Sequence, residues 1–191
     1  MKKSCILKLE NINKSFNRKP VITDFSYCFP PTGIIAIMGA SGCGKTTLLR
    51  IIAGLEKQDS GNIEKAPETN IAYVFQENRL FPTLTAKQNI ECCCDDSEKS
   101  EILLRKVGLE EFSSYLPSEL SGGMKQRVSI ARALSVDADV ILLDEAFKSQ
   151  DEDTRGKLYG IIREEAQSRL FIMVTHDIDE ANALASDIIN L

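Results

Sequence analysis

"GIIAIMGASGCGKTTLLRIIAGL", Gly33 to Leu55, decides the fold. It opens with an apolar run, Gly33 to Gly39, that reads as a buried strand and passes directly into "GASGCGKTT", Gly39 to Thr47. "KTTLLRIIAGL" then carries apolar residues on nearly every face, the pattern of a helix buried from its first turn. Gly39, Gly44, Lys45 and Thr46 stand at the defining positions of G-x-x-x-x-G-K-[ST]. Glycines let such a loop curl so that successive N–H groups point at phosphate oxygens, beside a helix N-terminus that also favours anions. Lys45 is placed to reach β- and γ-phosphates, and the Thr46 hydroxyl to ligate Mg²⁺.

Outward from this loop, short apolar runs alternate with helical patterns. "IAYVF" (Ile71 to Phe75), "DVILLDEA" (Asp139 to Ala146) and "LFIMVTH" (Leu170 to His176) read as further strands. Their near-continuous hydrophobicity predicts a mainly parallel sheet covered on both faces, an α/β architecture. "ILKLENI" and "FSYCF", in the first thirty residues, read as two antiparallel strands at one side. No strand pattern lies between Gln76 and Leu120, and "SEKSEILLRKVGL" is amphipathic. Asn78 to Glu119 is therefore expected to be a mainly helical insertion, part of a helical subdomain of about 78–135 within one domain spanning 1–191.

Two further strand ends carry chemistry. "VILLDE" places Asp144 and Glu145 at the C-terminal edge of the sheet, where α/β proteins bind ligands. Asp144 suits a metal ion bridging phosphates, and Glu145 a general base for an attacking water. His176, the single histidine, closes another apolar strand; a lone histidine there is by default structural, but beside the other two sites it can hydrogen-bond a γ-phosphate. Gln76, at the end of "IAYVFQ", is an uncharged group for metal or water.

"LSGGMKQR", Leu120 to Arg127, is a second glycine-rich segment leading into a helix. With it, the chain resembles the ATP-binding cassette (ABC) transporter ATPases over Leu7 to Leu191. Gly39 to Thr46 resembles their Walker A loop, Val140 to Asp144 the Walker B strand, Gln76 the Q-loop, His176 the switch histidine and "LSGGMKQR" the family signature. The resemblance implies a P-loop NTPase that hydrolyses ATP with Mg²⁺. Gly39, Ala40, Ser41, Gly42, Cys43, Gly44, Lys45, Thr46 and Thr47 would cradle the nucleotide, and Phe16 would lie against adenine. Lys45, Gln76, Glu145 and His176 would be catalytic, and Thr46, Gln76 and Asp144 would hold the metal. It also implies a head-to-tail dimer in which Ser121, Gly122 and Gly123 of one cassette close on the γ-phosphate bound by the other. "NRLFPTLTAKQNI" and "DEDTR" look like importer cassettes of the nitrate, sulfonate and taurine group. Integral membrane permease subunits and an extracytoplasmic solute-binding protein would then be partners.

Composition is consistent with this. The 191 residues suffice for one full domain, and 43% hydrophobic with 27% charged residues is an ordinary globular balance. A net charge of -5 argues against a nucleic-acid partner held by bulk electrostatics. No apolar run approaches the roughly 20 residues that span a bilayer. "MKKSCILKLENINKSF" has two lysines but no leader-length apolar stretch, so a cytoplasmic protein is expected; the resemblance to transporter cassettes implies that it is peripheral on the inner face of the membrane. Cys5, Cys28, Cys43, Cys92, Cys93 and Cys94 show no C-x-x-C spacing, so free thiols are expected rather than disulfides or zinc ligands. The "CCC" run reads as partly buried small apolar residues.

Some positions depart from the family pattern. Ala146 stands where a proline is usual, and "KSQD", Lys148 to Asp151, where Ser-Ala-Leu-Asp is usual. The end at "DIINL" comes early, so no regulatory C-terminal domain is expected. Two readings from other classes remain: a cassette serving DNA repair or the ribosome, and a nucleotide-sensing module with little turnover. The first lacks its coiled-coil insertion or second cassette, and intact Lys45, Asp144, Glu145 and His176 weigh against the second.

Overall fold

The computed structural model describes residues 5–191; Lys2 and Lys3, on which the expectation about a leader partly turned, lie outside them. In chain order the strands are β1 (Leu7–Phe16), β2 (Lys19–Phe29), β3 (Gly33–Met38), β4 (Ser60–Lys65), β5 (Ile71–Val74), β6 (Val140–Asp144), β7 (Leu170–Val174) and β8 (Asp187–Asn190). The helices are α1 (Lys45–Ile52), α2 (Ala86–Cys94), α3 (Ser97–Lys106), α4 (Gly122–Ser135), α5 (Glu152–Glu165) and α6 (Ile178–Leu184). Five strands form a parallel sheet in the order β5-β6-β7-β3-β8, and three form an antiparallel sheet in the order β2-β1-β4.

The two-residue period of a strand explains the layering. Ile34 and Ala36 of β3, Ile141 and Leu143 of β6, and Phe171 and Met173 of β7 join one core with Leu104, Val128, Leu134, Leu158 and Ile162 of the helices. Their neighbours Ile35, Ile37, Leu142, Ile172 and Val174 join a second core with α1 and with Leu7, Leu9, Ile12 and Phe29 of the antiparallel sheet. Both faces are buried, which is why these strands read as unbroken apolar runs. In β1 the inward set moves from Leu7 and Leu9 to Ile12, across a register shift where Asn11 takes φ 51°. One extra residue keeps Ile12 in the core instead of turning it to solvent.

The antiparallel segment holds three strands where two were expected. β4 pairs with the free edge of β1. Its "SGNIEK" has mostly exposed side chains, so backbone pairing rather than apolar alternation makes it a strand. β8, at the other sheet's edge, is likewise short and only half-buried.

The cysteine expectations need correction. Cys5 and Cys28 are joined in a disulfide, their Cα atoms 5.6 Å apart, because the β1–β2 pairing brings together positions 23 residues apart in sequence. Cys92 and Cys93 are exposed at the end of α2; only Cys94 is partly buried. It turns inward to Ser100, its Sγ 3.6 Å from the hydroxyl oxygen.

Candidate active site at the sheet edge

Strand order assembles the site. β5, β6, β7 and β3 are consecutive and parallel. Their C-terminal ends therefore set Gln76, Asp144 with Glu145, His176 and the glycine loop side by side. The loop's shape depends on Gly44, the cap of α1, at φ 107°. A Cβ there would also meet the Val21 carbonyl oxygen at 2.9 Å. Lys45 is buried, and its ammonium donates to the carbonyls of Gly39 (2.8 Å) and Ala40 (2.9 Å).

Asp144 is 2% exposed and both its oxygens are engaged. The Thr46 hydroxyl donates to Oδ1 at 3.0 Å, and the Tyr73 hydroxyl to Oδ2 at 3.0 Å. Burial pushes the Asp144 carboxyl above the usual carboxylate range, while both hydroxyl bonds favour the anion and oppose that rise. Thr46 and Asp144 thus converge as hard oxygen donors, the chemistry Mg²⁺ selects.

Glu145 sits in the left-handed region, φ 47°, unusual for a side chain of its size. Its N–H donates to the Val174 carbonyl at 3.0 Å, which ties the turn to β7. Three groups converge on its carboxylate: Gln76 Nε2 at 3.2 Å, His176 Nδ1 at 3.3 Å and Lys148 Nζ at 3.4 Å. A carboxylate accepts only, so Nδ1 is the donor in the histidine contact. These groups face a cleft of about 550 Å³, with Ser41, Gly42 and Gly44 to Thr47 also lining it, and Phe16 and Val21 at its side.

Ser121 caps α4, its hydroxyl accepting the Met124 N–H at 3.2 Å. Gln150 Nε2 donates to the Gly123 carbonyl at 2.9 Å, binding the helix start to the loop after Glu145. Yet none of Ser121, Gly122 and Gly123 lines the cleft. The loop, Gln76, Asp144, Glu145, His176 and Phe16 come together; the signature glycines stand apart.

Three residues without an assigned role in the sequence stand with these: Val21 and Lys148 line the cleft, and Tyr73 donates to Asp144. Tyr73 left one signal, a hydroxyl in an otherwise apolar strand. Lys148 departs from the family pattern, which gave it no role.

Residues 22–148 match the ABC transporter family. The chain belongs to that family. As a member, the cassette is an ATP-binding ATPase. It is 41% identical over 181 residues to the aliphatic sulfonates import ATP-binding protein SsuB 2 of Pseudomonas syringae pv. tomato, covering 92% of this chain and 78% of that one. It is 39% identical over 208 residues to the Fe(3+) ions import ATP-binding protein FbpC of Rhizobium etli, covering 99% of this chain and 59% of that one. Among solved structures, the cassette superposes on the dimeric structure of MJ0796, a bacterial ABC transporter cassette, with TM-score 0.88 and 28% identity, over 97% of this chain and 94% of that one. A dimeric post-hydrolysis state of MJ0796 bound to ADP and Pi gives TM-score 0.86, also at 28% identity, over 97% of this chain and 94% of that one. Among its described residues, no helix is long and apolar enough to cross a membrane.

Proposed function

We propose that the cassette works as one of two head-to-tail copies whose ATP hydrolysis powers solute import through separate permease subunits. The observation that carries this is the separation just described: the signature start of α4 lies outside the cleft floored by its own phosphate loop. A second copy can supply Ser121 and Gly123 to that cleft, as a helix N-terminus suited to an anion. The two dimeric MJ0796 structures support the assembly, and the similarity to the import ATP-binding proteins SsuB and FbpC supports import. Permease subunits and an extracytoplasmic solute-binding protein complete the assembly, with the cassette peripheral on the inner face of the membrane. It acts as one domain, 1–191, whose helical subdomain of about 78–135 faces the permease.

In this reading the loop amides, Gly39 to Thr47, and Lys45 hold the phosphates, and the Phe16 ring lies against adenine. Thr46, Asp144 and Gln76 would hold Mg²⁺, which would supply Lewis-acid charge to the phosphates. Glu145 accepts the proton of the attacking water. His176, fixed by Glu145, donates toward the terminal phosphate, and loss of that phosphate lets the dimer open.

The test is Glu145→Gln. The amide cannot accept the water's proton, so the variant should bind ATP, lose most turnover and accumulate as an ATP-bound dimer in size-exclusion runs. Hydrolysis at the wild-type rate would remove Glu145 from the mechanism.

A further inference from the structure

Two ammonium groups line the cleft, and they are held differently. Lys45 is 7% exposed and is tied to two backbone carbonyls of its own loop. Lys148 keeps 63% of its side chain exposed and, among the described residues, is held by a single ion pair, to Glu145 Oε2 at 3.4 Å. Glu145 does not depend on that pair. Its two oxygens also receive His176 Nδ1 and Gln76 Nε2. Glu145, at φ 47°, opens a turn in which the Lys148 N–H donates to the Glu145 carbonyl at 3.4 Å, and the Lys148 side chain lines the cleft.

We infer that Lys148 is a further nucleotide-binding residue, exchanging its exposed pair with Glu145 for the terminal phosphate of ATP. The inference rests on the ATP reading of the cleft. Glu145, as base for attack at the terminal phosphorus, marks where that phosphate sits, and Lys148 Nζ lies beside it. A pair at 3.4 Å whose ammonium side is 63% exposed is weakly held, whereas a triphosphate brings concentrated negative charge and strong acceptors to the same end of the cleft. The exchange has a second effect: it withdraws a cation from the carboxylate that must accept a proton. ADP lacks the phosphate concerned, so Lys148 discriminates between substrate and product.

The test compares ATP and ADP binding by isothermal titration to the full chain, without Mg²⁺ and at protein concentrations where it is monomeric. Lys148→Ser should weaken ATP by about tenfold, about 1.4 kcal/mol, and ADP by less than about twofold. Lys148→Arg should restore the ATP-to-ADP preference. The position is exposed, so folding is not at issue. An unchanged preference in Lys148→Ser, or an arginine variant that behaves like serine, would overturn the inference while leaving ATP binding itself intact. Failure of the wild-type chain to bind ATP would instead overturn the reading of the cleft and this inference together.

Discussion

The Tyr73 hydroxyl donates to Asp144 Oδ2 at 3.0 Å, across a gap of 71 residues and opposite the bond from Thr46 to Oδ1. Tyr73 is fixed in turn by its ring, stacked on Phe75 with centroids 4.1 Å apart. A buried carboxylate aligned on both sides can present its remaining lone pairs in one direction only. Tyr73→Phe keeps the stack and removes the donor. It should cost about 1.5–3 kcal/mol of stability, the range for hydrogen bonds to charged groups. It should also raise the Mg²⁺ concentration needed for tight nucleotide binding. Urea unfolding and a Mg²⁺ titration read the two effects; wild-type values in both would show that the bond does not orient Asp144.

Glu180 predicts a pH dependence. It is 8% exposed, and its Oε1 has no hydrogen-bond partner among the described residues. Burial first, and then the charge of Asp177, push its carboxyl up to about 7 from 4.5; Glu145 adds to the rise, while a Thr175 hydrogen bond and Arg155 oppose it. The folded state therefore retains a proton that the unfolded chain releases between those values. Stability from this group is fully present below about pH 4.5 and is lost as pH rises through about 7, on the order of 3 kcal/mol in all. Glu180→Gln removes that loss. Relative to wild type it should gain stability by this amount between pH 4 and pH 8, and parallel urea-unfolding profiles for the two proteins would refute the assignment.

The adjacent glycines of the signature should respond oppositely to alanine. A Cβ at Gly122 meets nothing within 4 Å, whereas at Gly123 it would lie 2.7 Å from the Ser149 carbonyl oxygen. Gly122→Ala should raise stability by up to about 1 kcal/mol through helix propensity. Gly123→Ala should lower it by about 1–3 kcal/mol as the loop after Glu145 is pushed aside. Thermal melts of the isolated chain decide; changes of the same sign would mean the loop does not pack on the helix start.

Legibility in the sequence followed the range of the interaction. The β3–loop–α1 unit was readable because the eight contiguous residues Gly39 to Thr46 carry the phosphate chemistry between a strand pattern and a helical one. Asp144, Glu145, Gln76 and His176 could be placed because each ends a recognisable apolar strand, and parallel strands share one C-terminal edge. β4 could not be read, since its partner β1 lies some fifty residues away and its own side chains are mostly exposed. The same holds for the Tyr73 bond to Asp144, the Gln150 bond to Gly123 and the Cys5–Cys28 disulfide. Each is made by tertiary pairing, with no local pattern to announce it. Cys92 and Cys93 show the converse: three identical residues in a row invite one description, but helix geometry turns them to different surroundings.

The central claim is that a nucleotide site is complete only when a second copy supplies Ser121 and Gly123. Its most direct test is the specific ATPase activity of the wild-type chain across a protein dilution series, with sedimentation recording the monomer–dimer balance in ATP. Activity per molecule should follow the dimer fraction and fall toward zero in a monomeric sample. A specific activity that stays constant down to demonstrably monomeric protein would contradict the shared site.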